Sequence, residues 1–211
     1  MIVVGVRPAR QSRVKLLMET GEEFLIDKKT WEESPFSVDS SLSEDQLEEL
    51  MRISDHRRAQ SRAVYLLSKR DFSRRELEQK LCREKGRYVA ENKELAQQTA
   101  ARMEELGYVN DAAYAEHLAQ RYSCEKLYPR RRIIQKLIEK GIARTLAEEA
   151  VSVLETADED LALEFLLKKR YTVPSEQHEA DRIAGALMRY GFAGDDIRRA
   201  MRRWMEGVEN E

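Results

Sequence analysis

The sequence predicts a mainly α-helical protein with a small β-stranded extension at its N-terminal end. Only 9 Gly and 4 Pro punctuate 211 residues, which suits long helical runs and argues against a many-turned sandwich or barrel. Apolar residues recur at helical spacing from about residue 57 nearly to the end. The helical text also repeats. Tyr65–Arg70 (YLLSKR) returns as Phe165–Arg170 (FLLKKR), and Arg74–Leu81 (RRELEQKL) returns as Arg130–Leu137 (RRRIIQKL). Lys140-Gly141-Ile142 returns as Tyr190-Gly191-Phe192. These offsets predict three tandem units of about three helices each, at 57–109, 110–156 and 157–207.

Residues 1–31 read as the β extension. Ile2–Val6 is β-rich, and Val14, Leu16 and Met18 alternate with the residues between them. Thr20-Gly21-Glu22 supplies a hairpin turn before Phe24-Leu25-Ile26. Residues 32–56 read as a linker followed by a helix. Ser34-Pro35, Ser37, Ser40 and Ser41 make 32–42 polar, and Ser43 with Gln46 has the spacing of a capping box that opens a helix over about 44–54. Further on, Ala59, Ala63, Leu66 and Leu67 share one helical face, as do Ile133, Ile134, Leu137 and Ile138, and then Ile183 and Leu187. Gly86, Gly107, Gly141 and Gly191 each follow a helical pattern, where a left-handed residue ends a helix. Asp111 and Pro129 sit where helices begin.

Charge excludes some functions and suggests others. Charged residues are 36% of the chain, yet 37 Lys+Arg against 39 Asp+Glu leave a net −2, unlike a globally basic nucleic-acid binder. The 42% hydrophobic content supports a core and argues against disorder throughout. Cys82 and Cys124 form no close-spaced motif and read as reduced, inert thiols. Met1–Val6 lacks the basic and long apolar regions of a signal peptide, and no apolar run is long enough to span a membrane. A cytoplasmic protein without membrane contact is expected.

Chemistry-bearing motifs are missing from the text. It has no phosphate-binding Gly-rich loop and no nucleophile elbow. His56, His117 and His178 are scattered, and His178-Glu179 lacks the second histidine of a zincin helix because position 182 is Arg182. Neither catalysis, nor a cofactor, nor a metal site is expected.

Charge segregation stands out instead. Residues 121–144 carry eight basic and two acidic residues, whereas residues 19–58 carry twelve acidic and five basic ones. Arg132, Lys136 and Lys140 fall at i, i+4 and i+8, roughly opposite the apolar stripe of their helix. A charge run is usually a solvated face. Arg130-Arg131-Arg132 departs from this pattern because it sets positive charge at the positive end of a helix, which suggests a partner's requirement. Tyr65, Phe165 and Trp204 lie on apolar stripes and read as core, while Tyr128, beside Pro129, is balanced between core and surface.

The stretch Arg62–Leu77, followed by Lys80-Leu81, resembles the opening signature of RecX, the bacterial regulatory protein of the recombinase RecA. The resemblance continues in order through Glu105–Asp111, Ala112–Ala115, Pro129–Leu137 and Lys140-Gly141-Ile142, and covers roughly 57–207. It implies tandem three-helix units in an elongated, curved body with no catalytic function. It implies a monomer that modulates RecA, mainly as an inhibitor, by lying in the groove of the RecA–single-stranded-DNA filament. Filament growth, ATPase, strand exchange and coprotease activity are the processes limited. The residues assigned to contact the filament protein or DNA phosphate are Lys69, Arg70, Arg74, Arg75, Arg130, Arg131, Arg132 and Lys136. The alternative reading is a direct nucleic-acid binder built of helix-turn-helix-like units, and weak binding to single- or double-stranded DNA is compatible with either.

Overall fold

The computed structural model describes residues 1–83 and 92–208. Gly86, expected to end a helix, lies outside these residues. The chain divides into two compact units. The first comprises Met1–Asp71 and Leu77–Val109; the second comprises Phe72–Glu76 and the chain from Asn110 onward.

The first unit opens with three antiparallel strands in the order β1 (Val3–Ala9), β2 (Arg13–Met18) and β3 (Glu23–Asp27). The alternation in β2 turns Val14, Leu16 and Met18 onto one buried face, where they meet Val3, Ile26, Leu42, Leu47 and Leu50. A short helix, α1 (Lys28–Glu32), follows. The segment expected as a polar linker then runs back along β1 instead of lying free. The Val3 N–H donates to the Ser40 oxygen at 3.1 Å, the Leu42 N–H donates to the Met1 oxygen at 2.8 Å, and Leu42 is buried.

Both halves of the capping box form at the start of α2 (Glu44–Leu67): the Ser43 N–H donates to Gln46 Oε1 at 2.9 Å, and the Gln46 N–H donates to Ser43 Oγ at 3.2 Å. The helix expected over 44–54 continues to Leu67, because no Gly or Pro interrupts it and the buried Ser54 hydroxyl accepts from the Asp27 N–H at 2.8 Å. Ala59 and Ala63 are buried, but Tyr65, expected in the core, is 48% exposed. Two residues beyond Ala63 it is turned by about 200° around the helix. Lys69 Nζ lies 5.2 Å from the centre of its ring.

Within this unit α2 packs against α4 (Lys93–Glu105). Arg62 is buried and donates to the oxygens of Lys80 and Leu81, at 2.9 Å each, and to that of Arg83. The last carbonyls of α3 (Arg74–Leu81) lack partners within their own helix, and a buried guanidinium supplies both donors and a favourable charge there.

In the second unit, α5 (Asp111–Lys126), α6 (Arg130–Glu139) and α7 (Arg144–Ser152) bury a core that includes Ala115, Leu118, Ile133, Leu137 and Val151. The helices α8 (Asp158–Lys168), α9 (Gln177–Tyr190) and α10 (Gly194–Val208) bury another around Leu161, Phe165, Ile183, Leu187 and Trp204. Phe165 and Trp204 are thus core residues, as their stripes predict. Among the described residues no helix is long and apolar enough to cross a membrane.

One joint occurs twice in this unit. The Arg74 N–H, at the start of α3, donates to the carboxylate of Asp111, the first residue of α5, at 2.8 Å. The Arg130 N–H, at the start of α6, donates to the carboxylate of Asp158, the first residue of α8, at 3.1 Å. Each helix start also meets the glycine that ends a later helix. A Cβ on Gly141 (φ +84°) would stand 2.6 Å from the Arg75 Cβ, and one on Gly191 (φ +116°) 3.3 Å from the Arg132 Cβ. The backbone turn and the close approach both call for glycine at these two positions.

Candidate interaction site

The basic residues singled out by sequence separate into those engaged within the chain and those that face outward. Arg130 and Arg132, the outer members of the triplet, are engaged. The Arg130 guanidinium donates to the Leu154 oxygen at 2.5 Å, beyond the end of α7. The Arg132 guanidinium donates to the Tyr190 oxygen at 2.6 Å, and its carbon sits 4.1 Å and 4.4 Å from the ring centres of Tyr128 and Tyr190. Tyr190 continues the stack toward Phe165 at 4.4 Å and Phe192 at 5.9 Å. Tyr128 is therefore a half-buried partner of Arg132, not an open platform.

These contacts account for two of the three arginines at the positive end of the helix. The carboxylate of Asp158 receives the first N–H of α6 and offsets the local charge. Burial pushes the Asp158 carboxyl above the ordinary aspartate range, and the hydrogen bond from the Arg130 N–H opposes that shift. Two of the three guanidinium groups then satisfy carbonyls at the C-terminal ends of other helices. Arg131 is exposed and has no ion pair among the described residues.

The ridge expected from Arg132, Lys136 and Lys140 is likewise mostly spent. Lys136 pairs with Glu139 at 2.6 Å, which holds the lysine in its charged form to higher pH. Lys140 pairs with Glu76 at 3.0 Å. On α10, Arg199 and Arg203 bridge to Glu159, and Arg203 reaches Asp160 at 2.6 Å, so the acidic first turn of α8 pairs with both.

Of the four residues before and within α3, Lys69 and Arg70 belong to the first unit and Arg74 and Arg75 to the second. Lys69 is exposed over the Tyr65 ring, and Arg70 donates to the Asp71 oxygen at 2.7 Å. Arg74 is half-buried at the Asp111 joint. Arg75 lays its aliphatic stem over Gly141 and leaves its charge exposed without an ion pair among the described residues.

The structure adds two residues that sequence reading missed. Met188 and Arg189, in the last turn of α9, join Arg131, Arg132, Gln135 and Lys136 of α6 around a groove of about 490 Å³. Their nearness to α6 depends on the packing of Gly191 against Pro129 and Arg132, and no local pattern signals it. No cluster of three or more His, Cys, Asp or Glu side chains among the described residues is placed to hold a metal ion.

The helical unit containing α5–α7 matches the family model described as RecX, second three-helix domain, over residues 110–151. A RecX regulatory protein of Chlorobium phaeobacteroides is 28% identical over 152 residues, covering 72% of this chain and 96% of its own length. A RecX regulatory protein of Stenotrophomonas maltophilia is 32% identical over 143 residues, covering 67% of this chain and 83% of its own. The chain belongs to the RecX family. Crystal structures of RecX proteins share the fold. One superposes with a TM-score of 0.70 at 18% identity over 94% of this chain and 98% of its own. The RecX of Lactobacillus salivarius superposes with a TM-score of 0.62 at 22% identity over 72% of this chain and 97% of its own. The mainly helical architecture with its small N-terminal sheet is therefore a RecX architecture.

Proposed function

We propose that this chain is a non-catalytic cytoplasmic modulator of RecA, mainly an inhibitor, that occupies the groove of the RecA–single-stranded-DNA filament. Residues 57–109, 110–156 and 157–207 act as successive units that engage the filament at intervals. Membership of the RecX family, whose named members are regulatory proteins, carries this reading. The outward charges of Arg75 and Arg131, next to the two repeated joints, support it. A periodic filament offers the same surface repeatedly, and linked weak contacts raise apparent affinity without any new chemistry. Occupancy alone blocks a site that the next filament subunit needs. Lys69, Arg70, Arg74, Arg130, Arg132 and Lys136 belong to the same proposed face, with Arg130 and Arg132 also holding the fold.

The test is RecA ATPase and filament length on single-stranded DNA with increasing amounts of the protein. Slower hydrolysis and shorter filaments are expected, both relieved by combining Arg75→Glu with Arg131→Glu. Unchanged ATPase and filament length at several-fold excess of the unaltered protein overturns the proposal.

A further inference from the structure

We infer that the groove between α6 and the last turn of α9 docks an acidic protein segment that carries one large apolar side chain. The inference deepens the proposed RecA interaction and rests on that reading only in assigning the segment to the filament protein. Four cations line the groove, Arg131, Arg132, Lys136 and Arg189, against one carboxylate, Glu139, which Lys136 already occupies. Arg131 and Arg189 come from different helices, are both exposed, and have no ion pair among the described residues. Two uncommitted guanidinium groups flanking one cleft suit carboxylates, which they bind through planar, forked hydrogen bonds.

The apolar requirement comes from Met188. It is 60% exposed in the same groove, beside the buried Phe192. An unbranched thioether adapts to the shape of a partner's side chain, and covering it removes apolar surface from water.

Nucleic acid fits this groove less well. Strand-binding surfaces offer open aromatic faces for bases and cations in a continuous line. Here the aromatic faces nearest the groove are taken: Arg132 covers Tyr128 and Tyr190, and Tyr190 packs on Phe165 and Phe192.

Fluorescence anisotropy tests the inference with the full chain and two probes: a short labelled peptide of aspartates and glutamates around one leucine, and labelled single-stranded oligothymidine. The chain is expected to bind the peptide. Combining Arg131→Glu with Arg189→Glu is expected to weaken that binding by roughly tenfold or more through lost attraction and new repulsion. Met188→Ser is expected to weaken it by about threefold, with little effect on folding because the side chain is exposed. Oligothymidine binding is expected to stay unchanged in Met188→Ser and to fall clearly less than peptide binding in the charge-reversed variant. Peptide binding that neither variant alters overturns the inference, as does a parallel loss of oligothymidine binding with no effect of Met188→Ser, which assigns the groove to phosphate. The same variants assayed on RecA filaments separate the two proposals. If the unaltered protein binds the peptide but leaves RecA unaffected, the RecA reading fails and the groove's chemistry stands. If it inhibits RecA and the groove variants inhibit equally, the groove inference fails alone.

Discussion

Arg132 donates from its guanidinium to the main-chain oxygen of Tyr190, at 2.6 Å, while lying 4.4 Å from the centre of the same residue's ring. One side chain thus completes the C-terminal end of α9 and stacks on the aromatic cluster beside it. The positions are 58 residues apart in sequence.

This relationship makes Arg132 a stability residue and Arg131 a surface one. Arg132→Ala is expected to cost about 2–3 kcal/mol, from a lost charge-assisted hydrogen bond and two cation–π contacts. Arg131→Ala is expected to stay within about 0.5 kcal/mol of the unaltered protein, as exposed substitutions generally do. Urea unfolding midpoints at neutral pH measure both. Equal, small effects for the two variants contradict the assignment.

The joint at Gly141 makes a comparison between two glycines informative. Both Gly107 (φ +77°) and Gly141 (φ +84°) are left-handed, so alanine at either is expected to cost roughly 1–2 kcal/mol. A Cβ on Gly107 meets nothing within 4 Å, whereas one on Gly141 meets the Arg75 Cβ at 2.6 Å. Gly141→Ala is therefore expected to lower the melting temperature clearly more than Gly107→Ala, and adding Arg75→Gly is expected to restore part of the difference. Identical melting temperatures for the two single variants would show that the close approach has no energetic weight.

Asp158 predicts a pH dependence of known sign. Burial raises its pKa in the folded protein, with the Arg130 N–H working in the opposite direction. The folded state therefore holds the proton more tightly than the unfolded chain. The contribution to stability is fully present below the ordinary aspartate value and is lost as pH rises through the raised one. Asp158→Asn keeps an oxygen to accept from the Arg130 N–H but does not titrate. The stability of the unaltered protein minus that of this variant should fall as pH climbs through that window and level off above it. Urea midpoints of both proteins across mildly acidic pH provide the measurement, and a difference that rises across the window reverses the predicted sign.

Much of the fold was legible because it rests on local rules. The Ser43–Gln46 capping box depends on a spacing of three residues, and both of its hydrogen bonds form. The alternation of Val14, Leu16 and Met18 names the inner face of β2, and Gly141 and Gly191 mark helix ends by the conformation that only glycine takes easily. Tyr65 shows where the local rule was read too broadly: it lies beside apolar neighbours in sequence but on another side of the helix.

The sequence by itself determined the helical content, the N-terminal strands, the repeated text and the presence of strongly basic helix starts. Those features follow from interactions among residues a few positions apart, which the chain carries into any context. Only the tertiary structure decided what each charge does. Arg130 and Arg132 meet Leu154 and Tyr190, and Lys140 meets Glu76, through packing of elements distant in sequence. It was also packing that left Arg131 open and brought Arg189 and Met188 to its side. A long flexible cation has no preferred partner until the backbone fixes which carbonyl, ring or carboxylate lies within its reach.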